Sequence, residues 1–290
     1  MDSEVIRMMN VRTLGEGTYG NVFRVQLSDG HYYAVKVPKK QLGAKAVEQF
    51  KREAVIHERI RDICHPHLLC FTRLIPHRDT VYLVTEYLEN YQELFNLISE
   101  DTPQNNRWLT KVTQSIEIQT NMFKQMIMGV HLLHERGIAH SDIKPENMMI
   151  HMGTYNVKLI DFGLSCMEDT CGENAGSATY LAPEAIGFIR NKVRRTLRQS
   201  MKLDIWALGL VIYMCIVLFN QSIQLQMPYE GYDEAAIIAH DLPRIWWPKR
   251  QAVEKIEPIF RVHNLDVHAL INPDPEKRNL MAAFIRSPEQ

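Results

Sequence analysis

The stretch His140-Ser141-Asp142-Ile143-Lys144-Pro145-Glu146-Asn147 sets a carboxylate, an ammonium and a carboxamide within a few residues, with a proline to stiffen the loop. Asp161-Phe162-Gly163 follows shortly after. Two acids, an amide and a lysine at this spacing suit chemistry on a phosphate bound through metal ions. The residues before this stretch look built to hold a nucleotide. Those after it look built to hold the stretch itself and a second substrate.

The elements that must position these groups begin near the N-terminus. Gly15-Glu16-Gly17-Thr18-Tyr19-Gly20 lies between Val11-Arg12-Thr13-Leu14 and a partly alternating run from Asn21 to Leu27. Ser28-Asp29-Gly30-His31 is a turn signal, and Tyr32 to Val37 resumes as a strand. A glycine set of this kind is weak evidence alone. In a dinucleotide site it precedes a helix, whereas here β-branched and aromatic residues lead into another hairpin. Two readings remain open: a flap whose amides approach phosphates, or an ordinary glycine-rich hairpin. Lys36, within the apolar Ala34-Val35-Lys36-Val37, either has an anionic partner or snorkels from a strand edge. Glu53 is the acid nearest the apolar face of a helix expected from Ala44 to Ile63, and could pair with Lys36; Glu48 and Glu58 read as solvent-facing.

Strands are expected at Leu68 to Leu74 and Val81 to Glu86, then a connector at Tyr87 to Tyr91 and a short helix from Glu93 to Ile98. Asp101 to Lys111, polar and containing Pro103, reads as a surface loop. Val112 to Glu135 reads as a long buried helix that Gly137 ends, its methionines serving as core filler.

Composition sets the frame. The chain has 290 residues, formal net charge -1, 46% hydrophobic and 23% charged residues, an ordinary globular balance with ample core. Near-zero charge gives no general attraction to nucleic acid or to an anionic membrane, and neither is expected as a partner. Five scattered cysteines do not read as a disulfide framework and no zinc-finger spacing occurs. Met1 to Asn10 lacks the apolar run of a secretory signal. The apolar run from Ile205 to Phe219 is shorter than the ~18 residues of a membrane span. An intracellular, reducing place is expected by default, the cytoplasm first and the nucleus left open.

With these residues in view, the sequence resembles the eukaryotic-type protein kinase family. The match runs in order from about Val11 to Arg278. It comprises the Gly15 to Val22 flap, Ala34-Val35-Lys36, Glu53, the His140 to Asn147 stretch, Asp161-Phe162-Gly163, Ala182-Pro183-Glu184, Asp204-Ile205-Trp206-Ala207-Leu208-Gly209 and Arg278. The resemblance implies an α+β, two-lobed fold. A small β-rich N-lobe would span about 8–86, with a connector at 87–91 and a larger helical C-lobe over about 92–284, followed by a short tail at 285–290. It implies ATP and Mg²⁺ as cofactors and protein Ser/Thr hydroxyls as acceptors, the form of the loop with Lys144 belonging to the Ser/Thr class.

Roles carry over by position. Asp142 would orient the attacking hydroxyl, and Lys144 would offset charge on the γ-phosphoryl group. Asn147 and Asp161 would hold Mg²⁺. Lys36 would hold the α- and β-phosphates and pair with Glu53. The flap, Leu14, Gly15, Glu16, Gly17, Thr18, Tyr19, Gly20, Asn21 and Val22, would cover the nucleotide. Thr85 would guard the back of its pocket, Glu86 and Leu88 would read adenine, and Val22, Ala34 and Met149 would sandwich the ring. Glu93 resembles the ribose-binding acid. Ser177 would stand in for the threonine that bonds Asp142 and Lys144. Asp204 would bond the catalytic-loop backbone, and Glu184 would pair with Arg278.

Departures matter as much. Ser141 stands where most members carry an arginine that grips a phosphate on the activation segment, so activity is expected not to need phosphorylation there. Glu173 either substitutes for such a phosphate or is a solvated loop acid. His57 lies where an apolar residue is expected. The 184–204 region is long and carries Arg190, Lys192, Arg194, Arg195, Arg198 and Lys202, which is either a patch for an acidic or phosphorylated partner or a solvated basic helix. Two rival readings are a nucleotide-binding pseudokinase scaffold and a small-molecule kinase of related fold.

Overall fold

A computed structural model of the chain describes residues 9–16, 20–39, 43–77, 80–99, 102–168, 171–172, 176–220, 232–240 and 257–284. The Asp29-Gly30 turn forms as its residues dictate. Asp29 Oδ1 accepts from the His31 amide at 2.9 Å, the Tyr33 hydroxyl donates to Oδ2, and Gly30 takes φ +81°, a left-handed value that glycine adopts without a Cβ clash. This turn joins β2 (Gly20–Gln26) to β3 (Tyr32–Pro38). With β1 (Met9–Glu16), β4 (Phe71–His77) and β5 (Thr80–Glu86) they make one antiparallel sheet in the order β1-β2-β3-β5-β4. Period-2 alternation places Val25, Leu27, Val35, Ile75 and Val84 in one apolar cluster. Phe71 and Leu83 pack with Phe50 of α1 (Gly43–Arg59) in another. The helix ends before Ile63, because 60–62 form a turn.

The chain divides into two compact units. One holds residues 1–91 together with Asp161–Gly163, and the other 92–160 with 164–290. The second unit is mainly helical. α2 (Leu94–Ser99) buries Leu94 and Leu97. Most of the loop expected at Asp101 to Lys111 is instead a helix, α3 (Pro103–Thr113). Thr102 caps it, accepting from the Asn105 amide, and Pro103 occupies the first turn, where its missing N–H costs no hydrogen bond. Trp108 and Val112, four apart, are buried. The long helix is therefore α4 (Ile116–Glu135), capped by Ser115 and burying Met122, Phe123, Met126, Ile127, Val130 and Leu133. Gly137 follows at φ +69°.

A 3-10 turn (Pro145–Asn147) leads into β7 (Met148–His151), which pairs with β8 (Val157–Leu159). After α5 (Ala185–Asn191) comes α6 (Leu197–Phe219), opened by a capping box in which Thr196 and Gln199 bond each other's backbone amides. By length and composition α6 could cross a membrane, but 83% of its most apolar window is buried inside the protein. Arg278 is fully buried and holds Glu184 through two bonds of 2.5 and 2.9 Å, while its Nε donates to the Asn272 carbonyl and its plane lies over Trp206. A buried guanidinium needs this full set of partners.

The cysteine expectation is overturned. Cys64 pairs with Cys70 and Cys166 with Cys171, leaving Cys215 free and buried in α6. Each pair is local in sequence, so an odd, scattered count concealed two short cross-links. The cysteines therefore give no argument for a reducing compartment.

Candidate active site

In the first unit the chemistry gathers on β3. Register sets Val22 opposite Lys36 and Ala34 opposite Thr85. Lys36 Nζ lies 2.6 and 2.8 Å from the two oxygens of Glu53, on α1, and 3.0 Å from Asp161 Oδ1. Burial works against the ammonium, but the two carboxylates outweigh it and hold the Lys36 pKa above its ordinary value. Glu48 and Glu58 are exposed, so Glu53 is the acid that the helix turns inward.

The glycine hairpin is β1-β2. Gly15 faces Val22 and Glu16 faces Asn21 across it, with Leu14 exposed on β1. A Cβ at Gly20 would lie 2.8 Å from the Val37 carbonyl, so β2 and β3 approach there only because that residue is glycine. Gly17, Thr18 and Tyr19 lie outside the described residues. Thr85 is buried, with its hydroxyl 3.5 Å from the Ala34 carbonyl. The Glu86 carboxylate accepts from the Cys70 amide at 2.7 Å, so that side chain ties β5 to the residue that leads into β4. Leu88 is half-buried in the loop that follows.

Asp161 takes φ +61° and keeps its carboxylate 47% exposed, a left-handed backbone that a non-glycine residue adopts at some energetic cost. Phe162 is fully buried, and His57 meets it edge-on with ring centroids 5.0 Å apart. His57 is itself only 1% exposed and also touches Phe71. Burial pushes its pKa down to about 3, so the ring is neutral and fills an apolar position as an aromatic disc.

In the second unit Asp204, on α6 and 1% exposed, accepts from the His140 and Ser141 amides at 2.7 and 2.8 Å and lies 3.0 Å from His134 Nε2. That explains an acid in so apolar a helix. His140 accepts from the Asp142 amide at Nδ1 and donates from Nε2 to the Ile160 carbonyl, which fixes its tautomer. Ser141 is held at φ +64°.

Asp142 then stands among partners on three sides. Lys144 Nζ is 2.8 Å from its Oδ2, the Ser177 hydroxyl donates to its Oδ1 at 2.9 Å, and Asn147 Nδ2 donates to its backbone carbonyl and to Oδ2. Lys144 also donates to the Ser177 hydroxyl at 3.2 Å. Asn147 directs its NH₂ at Asp142, so its amide oxygen is the atom that could hold a cation. An amide oxygen of this kind and, within the first unit, the Asp161 carboxylate are each hard donors of the kind Mg²⁺ accepts. Glu93, at the end of β6 (Tyr91–Glu93), and Met149, on β7, are each half-buried.

Sequence reasoning missed the Cys166–Cys171 link beside Ser141, and the role of Gly176. At φ +87°, Gly176 brings its backbone so near that a Cβ would lie 2.7 Å from the Ser141 carbonyl. The Gly-Ser pair ahead of the buried Ala178 was the available signal for that approach. Glu173 lies outside the described residues. The basic stretch is largely engaged internally. Arg190 donates to the carbonyls of Ile238 and Ala239, Arg198 pairs with Glu276, Lys202 donates to the Arg278 carbonyl, and Arg195 is 4% exposed.

The protein kinase domain family model matches residues 8–288, and the chain belongs to that family. It is 29% identical over 217 residues to CBL-interacting serine/threonine-protein kinase 20 of Arabidopsis thaliana, covering 72% of this chain and 44% of that one. To CBL-interacting protein kinase 17 of Oryza sativa subsp. japonica it is 31% identical over 215 residues, covering 71% and 42%. To serine/threonine-protein kinase CG17528 of Drosophila melanogaster it is 28% identical over 244 residues, covering 81% and 30%. The aligned part thus spans less than half of each of these relatives.

Proposed function

We propose that the chain is an ATP-dependent protein serine/threonine kinase that transfers the γ-phosphoryl group to Ser or Thr hydroxyls of proteins. The observation that carries this is the Asp142 constellation. A carboxylate is oriented by Asn147 and Ser177 and stands 2.8 Å from an ammonium. Phosphoryl transfer asks a protein for position and for charge opposite the group in flight. Asp142 would accept the hydroxyl's hydrogen bond and then its proton, Lys144 would neutralise oxygens on the moving phosphoryl group, and Lys36 would grip the phosphates already bound. Asn147 and Asp161 would hold Mg²⁺, which would supply positive charge to offset that of the phosphates.

The serine at position 141, in place of the family's arginine, belongs to this reading as a loss of phosphate control rather than of chemistry. None of Lys36, Asp142, Asn147 and Asp161 is missing. An acidic or phosphorylated partner at 190–202 would have to displace the internal bonds of Arg190, Arg198 and Lys202. The test is phosphate transfer from labelled ATP to a generic basic protein. Wild type should transfer, and Asp142→Asn should lose roughly 10²–10⁴-fold in kcat. Equal rates would refute the assignment. Absence of transfer with nucleotide binding intact would identify the scaffold alternative.

A further inference from the structure

The segment that follows Asp161-Phe162-Gly163 carries a cross-link whose position has a chemical consequence. Cys166 exchanges two backbone hydrogen bonds with Ala139, its amide donating at 2.9 Å and its carbonyl accepting at 3.0 Å. Ala139 immediately precedes His140-Ser141-Asp142. Cys166 Sγ lies 3.6 Å from the Ser141 hydroxyl, and the neighbouring Ser165 hydroxyl donates to the His140 carbonyl. Cys166 is 4% exposed and Cys171 is fully buried; they pack with Ala139, Leu197 and Met201. The same segment returns at Gly176 against the Ser141 carbonyl, and Ser177 bonds Asp142.

We infer that the Cys166–Cys171 disulfide is a redox-sensitive positioning device that clamps the segment onto 139–142 and so holds Asp142 in register for phosphoryl transfer. The inference rests on the kinase reading above for its activity arm only. The physical reason is local. Among the described residues, Asp142 meets the far end of this segment through Ser177, which also accepts from Lys144. Near its start the hold consists of one backbone bridge, two serine hydroxyls and the buried sulfur pair. Closing a short loop removes many of the conformations in which the bridge would be open. Reduction restores them. A thiolate of a dithiol reductant attacks one sulfur, the S–S bond breaks, and the second thiolate displaces the first sulfur. Two electrons and two protons pass to the cysteines, and the reductant leaves as its own disulfide.

Cys64 is exposed, so the Cys64–Cys70 link must be removed as a competing target. The experiment therefore uses Cys64→Ser/Cys70→Ser protein, poised with oxidised and reduced dithiothreitol. Kinase activity and hydrogen exchange of the 137–148 peptide are followed together.

Reduction is expected to lower kcat by roughly tenfold or more, with the KM for ATP little changed, since displacement of a reacting group costs turnover. The activity should follow a two-electron curve in potential. Exchange in 139–142 should rise over the same range. Adding Cys166→Ser/Cys171→Ser should give the low, redox-insensitive state, and a melting curve would separate this from simple unfolding. Unchanged kcat together with unchanged exchange across the titration overturns the inference. If the oxidised protein transfers no phosphate at all, the kinase reading fails, and the exchange data alone still decide whether the clamp exists.

Discussion

His57 shows how a single buried side chain can couple the fold to pH. Its ring lies between Phe71 and Phe162, near Lys36 and Asp161, and burial, assisted by the Lys36 charge, lowers its pKa from 6.5 to about 3. Between those values the unfolded chain binds a proton that the folded chain excludes. Stability therefore falls as pH drops below about 6.5, and the penalty stops growing near pH 3. At pH 5 it amounts to about 2 kcal/mol. His57→Leu should flatten the change in urea stability between pH 7 and pH 5 by about that amount. An identical slope in the variant and wild type would show that the ring is protonated within the fold. The identity of this residue was legible from its spacing four residues beyond Glu53. Its neutrality was not, because that depends on Phe71 and Phe162, which are distant in sequence.

Elements were legible where one period dominated. β2 partly alternates apolar and polar residues, Lys36 interrupts the apolar β3, and Glu53 is the inward acid of an otherwise amphipathic helix. α3 was illegible for a specific reason: Pro103 and two asparagines count as breakers in a window, yet at a first helical turn proline is an opener, and Asn105 turns inward to donate to the Asn96 carbonyl. The disulfides were hidden similarly, since pairing depends on turn geometry that a cysteine count does not contain. α6 adds an element whose start can be tested. Its capping box fixes the first turn, and two turns later Asp204 must reach the His140 and Ser141 amides. Thr196→Ala should destabilise the protein by about 1 kcal/mol, lowering the melting temperature by about 2–4 °C. Thr196→Ser should restore the wild-type value. A melting temperature unchanged in the alanine variant would mean that the box adds nothing to the buried face of the helix.

At the scale of the whole molecule, the proposed loss of phosphate control asks which contacts order the candidate catalytic centre. Two-lobed organisation was readable from the order of motifs. The membership of Asp161–Gly163 in the first unit, while the residues on either side belong to the second, was not; it follows from the Lys36 and His57 contacts. In the second unit the segment after Gly163 is fastened by the Ala139–Cys166 bridge, the Gly176 approach to Ser141, and Ser177 on Asp142 and Lys144. Each of these contacts exists without a phosphate. Position 141, where we propose that a phosphate-gripping arginine has been lost, is a serine. Unmodified protein should then already hold Asp142 in place. Protein treated to completion with a broad phosphatase, verified by mass, should keep at least half of its phosphotransfer activity, because about 0.4 kcal/mol of transition-state stabilisation separates half from full activity. Loss of nearly all activity on dephosphorylation, restored by rephosphorylation within 164–184, would show that the uncharged fastenings are insufficient and that another cation has taken over the role that Ser141 lacks.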